Sequence, residues 1–511
     1  MQSGTLQRAA GLLALMTWPG SAFAALDCAD VGGFLAGPAL GVVCFHSEDL
    51  RTNNTVTTPP DNSITAFANG TAFPGSSAGS GSFTPTKDRG VISNGPTPTP
   101  APAAVPGLQV QGWFADDPSY EARFVLRFPD TWNGKLVVAG ASGTRSEFNG
   151  DYAWSDYVLA KGYAYASQNK GMLNFWISSP SSLTQPASDP LACRVNPPMG
   201  ALSTLWVHFY DNDAQKPFTQ WTQYMLETAK LAQAAAMATY HHVPMRTYAV
   251  GTSNGGYQVR RAIETAPDLF DGGVDWEGTY ISPIENILVD LPPAIGNFPA
   301  YVAANYDPNS AAAQHIRAAG YPPDIVQRDG SGNVTASLWK NYYIDFWEVT
   351  ACQWQERFDP SYATYTAGLG NYDYQSRRTP AVAAAITAVT TTGKIKKPLI
   401  TVAGTMDALL PIERQARAYE AAVNASHKGD NDERNAPYRL YEVQNGNHIE
   451  AYAHAFPALR VIQPHAQQAF DLLVAHVESN APLPPSQCIP KDGTIVQLPT
   501  EPGNCANLYQ P

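Results

Sequence analysis

The apolar and polar positions of this chain fall into an alternating order of strands and helices. Leu108-Gln109-Val110-Gln111-Gly112 alternates as a half-buried strand does, and 122–128 reads as a second strand. Lys135-Leu136-Val137-Val138-Ala139-Gly140 is an apolar run closing on glycine, which predicts a buried strand and a tight turn. The stretch 152–161 is helix-compatible and ends at Gly162, a C-cap residue. Tyr163-Ala164-Tyr165-Ala166-Ser167 follows as a strand, and 219–240 carries the apolar spacing of a long helix. Further strands are predicted at 246–250, 272–276, 398–403 and 438–443, and further helices at 257–266, 412–425 and 467–479. Strands alternating with helices imply a mostly parallel sheet covered on both faces, an α/β fold.

Two stretches break this rhythm. Residues 172–216 are rich in Pro and Ser and hold Cys193. Residues 281–392 interrupt the strand order and carry many aromatics: Phe298, Tyr301, Tyr306, Trp339, Tyr342, Tyr343, Phe346, Trp347 and Trp354. The second stretch reads as an inserted lid, whose aromatics either shape an apolar pocket or pack the lid's own core. Residues 70–106 have the Gly, Ser, Thr and Pro texture of a linker.

The chain begins with one cation at Arg8, a short apolar run and the Ala22-Phe23-Ala24 end of a secretory leader. Cleavage is expected after Ala24, with Ala25 as the neighbouring option. The Asp27 before Cys28 does not suit a lipid-anchored leader, and no apolar run reaches the roughly 18 residues of a membrane span. The expected organisation is a leader over 1–24, a cysteine-bearing segment and linker over 25–106, a catalytic domain in two pieces (107–280 and 393–480), the lid over 281–392 and a stapled tail over 481–511. The expected location is secreted or periplasmic.

Charge and cysteines narrow the picture further. The formal net charge is −12 over 511 residues, which argues against nucleic acid or an anionic membrane surface as partner. All six cysteines follow the leader, and an even count in an oxidising compartment implies disulfides. Six cysteines allow 15 connectivities. Proximity favours Cys28–Cys44 and Cys488–Cys505, leaving Cys193–Cys352. No CxxC or Cys/His cluster occurs, which argues against a structural zinc site. The expectation is no metal and no cofactor.

The chemistry starts at Gly251-Thr252-Ser253-Asn254-Gly255-Gly256, between a predicted strand and a predicted helix. Glycines two before and two after a serine suit a nucleophile elbow, a turn so tight that side chains there would collide. A serine hydroxyl is a poor nucleophile at neutral pH and needs a base with a pKa near the working pH, which favours histidine. The histidine needs a carboxylate to fix its tautomer. In chain order the acid should follow a late strand and the histidine should follow the last one. Asp407 lies just beyond the 398–403 strand and His448 in the loop after the 438–443 strand. Singly, Asp407 could be a helix cap and His448 a solvated loop residue; together and in order they support each other. Asp275 or Glu277, at the end of the 272–276 strand, is the alternative acid. His241 and His242 read as helix-end cations. The oxyanion donors are expected from the backbone N–H of Asn254 and from Ala141 or Ser142 in the turn after Val138.

The elbow, Asp407 and His448 resemble the α/β-hydrolase superfamily. Residues 126–136 (LRFPDTWNGKL) and 160–167 (AKGYAYAS) resemble the tannase and feruloyl esterase-like enzymes. That resemblance covers roughly 107–480 and implies an α/β-hydrolase with a large lid that cleaves carboxylic esters, often of hydroxyaromatic acids. The family's cysteine pair beside the serine and histidine is replaced here by Thr252 and Ile449. Some members also hold calcium in the lid, whereas Asp329-Gly330-Ser331-Gly332-Asn333 is poor in carboxylates. Ser253-Asn254-Gly255-Gly256 is similar to hydrolases of 3-hydroxybutyrate oligomers. Prolyl-oligopeptidase-type serine peptidases use a like elbow, and a binding protein on a retired hydrolase fold is the non-enzyme alternative. The expected partner is a small or oligomeric ester.

Overall fold

The computed structural model describes residues 26–51, 103–117, 122–143, 147–148, 150–171, 175–178, 191–194, 205–208, 216–427 and 437–511. The expected leader, most of the expected linker and most of 172–216 lie outside the described residues.

Ten strands form the main sheet: β1 (Ala39–Ser47), β2 (Gly107–Phe114), β3 (Arg123–Pro129), β4 (Lys135–Gly140), β5 (Ala164–Gln168), β6 (Arg246–Thr252), β7 (Gly272–Trp276), β8 (Leu399–Gly404), β9 (Tyr438–Val443) and β10 (Gln487–Ile489). Their order is β1-β2-β3-β5-β4-β6-β7-β8-β9-β10. From β5 across to β10 all neighbours are parallel, whereas β1, β2 and β3 pair antiparallel. Strands β2 to β9, with the crossing of β4 and β5 and an antiparallel β3, have the topology of an α/β-hydrolase. The N-terminal segment and the tail extend this sheet at its two edges, through β1 and β10.

Period-two alternation assigns each strand's side chains to two cores. On one face Leu136, Val138, Ala249, Leu399 and Leu440 pack under three helices. These are α2 (Thr219–Tyr240), α3 (Asn254–Thr265) and, after the α4 (Ile287–Ala303) and α5 (Glu348–Phe358) of the insertion, α6 (Ala416–Ser426). On the other face Val137, Ala139, Val250, Val274, Val402 and Val443 pack against Trp154, Val158 and α7 (Gln463–Ser479). Further upstream, α1 (Cys28–Leu35) leads into β1. Among the described residues no helix is long and apolar enough to cross a membrane.

The insertion 281–392 is mainly helical, with α4 (Ile287–Ala303) and α5 (Glu348–Phe358) as its longest pieces. Seven of its nine singled-out aromatics are buried, Tyr343 and Phe346 being half-buried. They form one cluster with Tyr257 of α3 and with Met406, Ala408, Leu409 and Leu410. Most therefore pack a core rather than line a cleft. Because that core includes the loop after β8, the insertion is fixed around the position of Asp407. Asp329 accepts backbone N–H bonds from Ser331 and Asn333, both at 2.9 Å, which closes its turn locally.

Three disulfides join Cys28 to Cys44, Cys193 to Cys352 and Cys488 to Cys505, the expected pairing. Two elements differ from the sequence reading. Residues Asp151–Ser155 form a π-helical turn ahead of a short α-helix, Asp156–Leu159. Residues 412–415, read as helical, form turns ahead of the helix, and Gln415 is held elsewhere. It donates to Asp290 Oδ2 at 2.6 Å and accepts the Tyr280 N–H at 2.7 Å.

Candidate active site

At the end of β6 the chain reverses through Ser253 and enters α3 at Asn254. Ser253 has φ +60° and ψ −123°, a conformation costing a non-glycine residue roughly 1–3 kcal/mol. The glycines around it are needed for space. A Cβ on Gly251 would lie 2.3 Å from Gly255 O, and one on Gly255 would lie 2.3 Å from Gly140 O. A Cβ on Gly256 would lie 2.3 Å from Asp275 Oδ1. The turn is pinned by the Ser253 N–H donating to Trp276 O at 2.8 Å.

The Ser253 side chain makes no capping bond to its helix. Its Oγ instead lies 3.1 Å from His448 Nε2. His448 Nδ1 lies 2.8 Å from Asp407 Oδ2. The other oxygen of Asp407 accepts the N–H groups of Leu409 and Leu410, both at 2.7 Å, so the carboxylate is fixed by the backbone after β8. The His448 loop is tied to the insertion, because Tyr342 Oη donates to Asn447 Oδ1 at 2.8 Å. The three residues expected from sequence are thus joined in one hydrogen-bonded chain.

Burial works against a charged His448, but the Asp407 carboxylate, through charge and hydrogen bond, and Glu277 outweigh it and raise the imidazole to about 9. The two alternative acids part company. Asp275 is committed elsewhere: it accepts from Arg260 Nε at 2.5 Å, Gly278 N at 2.6 Å and Thr401 Oγ1 at 2.8 Å, all behind the elbow helix. Glu277 faces the site, with Oε2 3.5 Å from His448 Nδ1. Burial first, and the charge of Asp407 next, push its carboxyl well above the ordinary carboxylate range.

Asn254 opens α3, where a helix leaves its first N–H groups without intrahelical acceptors. Its side-chain Oδ1 accepts from Thr279 Oγ1 at 3.1 Å, holding the residue in place. The turn with Ala141 and Ser142 lies directly against this helix start, since a Cβ on Gly255 would come within 3.3 Å of Ala141 C. The buried Lys170 donates to Gly143 O and anchors the same turn, a role that no motif announced. His241 ends α2 with φ +59°, and it and His242 are exposed at that helix end, apart from the elbow.

Comparison with known proteins adds a likeness in the second half of the chain. A family model described as 3HB-oligomer hydrolase matches residues 363–500, a span holding Asp407 and His448. A D-(-)-3-hydroxybutyrate oligomer hydrolase of Burkholderia thailandensis is 40% identical over 98 residues, 18% of this chain and 13% of that protein. One from Burkholderia mallei is 40% identical over 97 residues, with the same coverage. The match thus spans 13% of the length of these curated relatives. Among solved structures, feruloyl esterase B from Aspergillus oryzae aligns at 12% identity with a TM-score of 0.45, covering 89% of this chain and 90% of that one. Tannin acyl hydrolase from Aspergillus niger aligns at 12% identity with a TM-score of 0.42, covering 79% and 83%.

Proposed function

We propose that this protein is a serine hydrolase of carboxylic esters, acting outside the cytoplasm. The observation that carries this reading is the hydrogen-bonded chain from Ser253 Oγ through His448 to Asp407. Ser253 Oγ attacks the ester carbonyl while His448 Nε2 takes its proton. Asp407 holds the Nδ1–H and stabilises the imidazolium. The backbone N–H groups of Asn254 and of Ala141 or Ser142 receive the oxyanion. The tetrahedral adduct expels the alcohol, which takes the proton from His448, and water then releases the acid from the acyl-enzyme by the same steps reversed in role.

For the substrate we favour short 3-hydroxyalkanoate oligomers over hydroxyaromatic esters. The support is the family likeness over 363–500, the part that carries the acid and the base. The three disulfides and the Ala-x-Ala leader support a secreted or periplasmic location. The test is an ester panel (aryl, hydroxycinnamoyl and 3-hydroxybutyrate oligomers) set beside blocked dipeptide amides. Turnover should be fastest on the oligomers. Faster cleavage of the amides would replace the esterase reading with a peptidase one, and failure of a fluorophosphonate to label Ser253 would favour a non-catalytic protein.

A further inference from the structure

A second carboxyl group stands at the imidazole nitrogen that Asp407 holds, and the mechanism above does not use it. Glu277 follows β7 with φ +52°, a left-handed conformation unfavourable for a glutamate. Contacts from β8 fix it there. The Glu277 N–H donates to Val402 O at 2.8 Å, and its Oε1 accepts the Gly404 N–H at 3.0 Å. These bonds aim Oε2 at His448 Nδ1, 3.5 Å away, and leave Oε2 buried with no hydrogen-bond partner among the described residues. An unpaired buried carboxyl oxygen is destabilising. Ligand-capable atoms of Glu277, Asp407 and His448 all lie within 4.8 Å of one another.

We propose, resting on the serine-hydrolase reading, that Glu277 is a reserve acid for His448. It is a positioning residue that takes over the Nδ1 hydrogen bond and the support of the imidazolium when Asp407 is absent. The gap to close is from 3.5 Å to hydrogen-bond length. The division of labour follows from the donors. Asp407 Oδ1 accepts from two backbone N–H groups and Glu277 Oε1 from one, so the backbone fixes Asp407 more firmly against the ring. Two carboxyl groups this close in a buried site do not readily ionise together. Without Asp407 that repulsion disappears, and a protonated His448 ring 3.5 Å away favours the ionised Glu277. The other groups facing Glu277 are Glu450, from the segment after the histidine loop, and the Tyr342 phenol, from the insertion.

The experiment compares kcat and the pH dependence of kcat/KM for the mature protein, Asp407→Ala, Glu277→Gln and the double variant. Where nothing replaces a triad carboxylate, its loss costs about 10⁴-fold in kcat. Asp407→Ala is expected to lose no more than about 100-fold and the double variant about the full 10⁴-fold. Glu277→Gln alone should cost less than about 10-fold, because Asp407 still holds the tautomer. In Asp407→Ala the acid limb should stay at or above about 6.5, and it should fall below that in the double variant, whose imidazolium has no anion at Nδ1. The proposal is overturned if Asp407→Ala alone falls by the full amount. It is equally overturned if adding Glu277→Gln moves neither kcat nor the limb. Should Asp407→Ala not fold, Asp407→Ser, which also withdraws the carboxylate from Nδ1, with and without Glu277→Gln gives the comparison. Ser253→Ala separates the two ideas: activity without Ser253 sinks the hydrolase reading, whereas an inactive Ser253→Ala with no Glu277 effect sinks only this one.

Discussion

Ser253, His448 and Asp407 come from three loops far apart in the chain, yet each was legible, because each sits at the end of a strand that the apolar pattern marks. The sequence left Asp275 and Glu277 open as alternatives, since both end the same strand. What separates them is rotation: Asp275 points back to Arg260, whereas the left-handed φ of Glu277 turns it toward His448. No single-sequence pattern reports that angle. The environment of His448 was also not legible, and its unperturbed pKa of about 6.5 would place the rise of activity too low. The Asp407 carboxylate stabilises the protonated ring, so the proton is held to higher pH, toward about 9. In the proposed mechanism only the neutral ring accepts the Ser253 proton. The acid limb of kcat/KM is therefore expected well above 6.5, measured with an ester whose own hydrolysis is slow across that range; a limb at or below 6.5 would show that Asp407 does not act on the ring as described.

Strands are the elements that the pattern located best. Gly272–Trp276 and Tyr438–Val443 have the expected bounds, as does the long helix Thr219–Tyr240. The elements it missed have physical reasons. β10 has three residues, too few for a period to show. β1 has a register shift between Leu40 and Val43 that breaks its alternation. α4 contains Pro292, Pro293 and Pro299, which argue against a helix. It forms nonetheless, with Leu291, Ile295 and Phe298 buried in the insertion's core. The elbow gives the sharpest test at this scale. Gly255→Ala would put a Cβ 2.3 Å from the carbonyl oxygen of Gly140, a backbone atom that cannot swing aside. The variant should lose about 1–3 kcal/mol in urea unfolding and most of its turnover, because α3 and the Ala141–Ser142 turn, the proposed oxyanion donors, are pushed apart. A stable, active Gly255→Ala would mean that the two are not in contact.

At the scale of the molecule, alternation of strands and helices was enough to give the α/β class, because parallel strands buried on both faces need helices between them. The use of the two ends was not evident from sequence: β1 and β10 complete the sheet, and each is tied by a local disulfide, Cys28–Cys44 and Cys488–Cys505. Cys193–Cys352 differs in closing a loop of 159 residues against 16 and 17 for the others. On loop-closure entropy its removal should cost about 5 kcal/mol, against about 3 kcal/mol for a short loop. Serine pairs replacing each disulfide in turn, compared by urea unfolding, should rank in that order; equal losses would mean that native packing rather than the open chain sets the effect. The proposed chemistry depends above all on Ser253 as the nucleophile. Its most direct measurement is kcat/KM of Ser253→Ala on the best ester of the panel, with folding checked by melting. The expected result is a native melting temperature and a loss on the order of 10⁶-fold in turnover, and a folded Ser253→Ala that keeps more than a few per cent of the activity would contradict it.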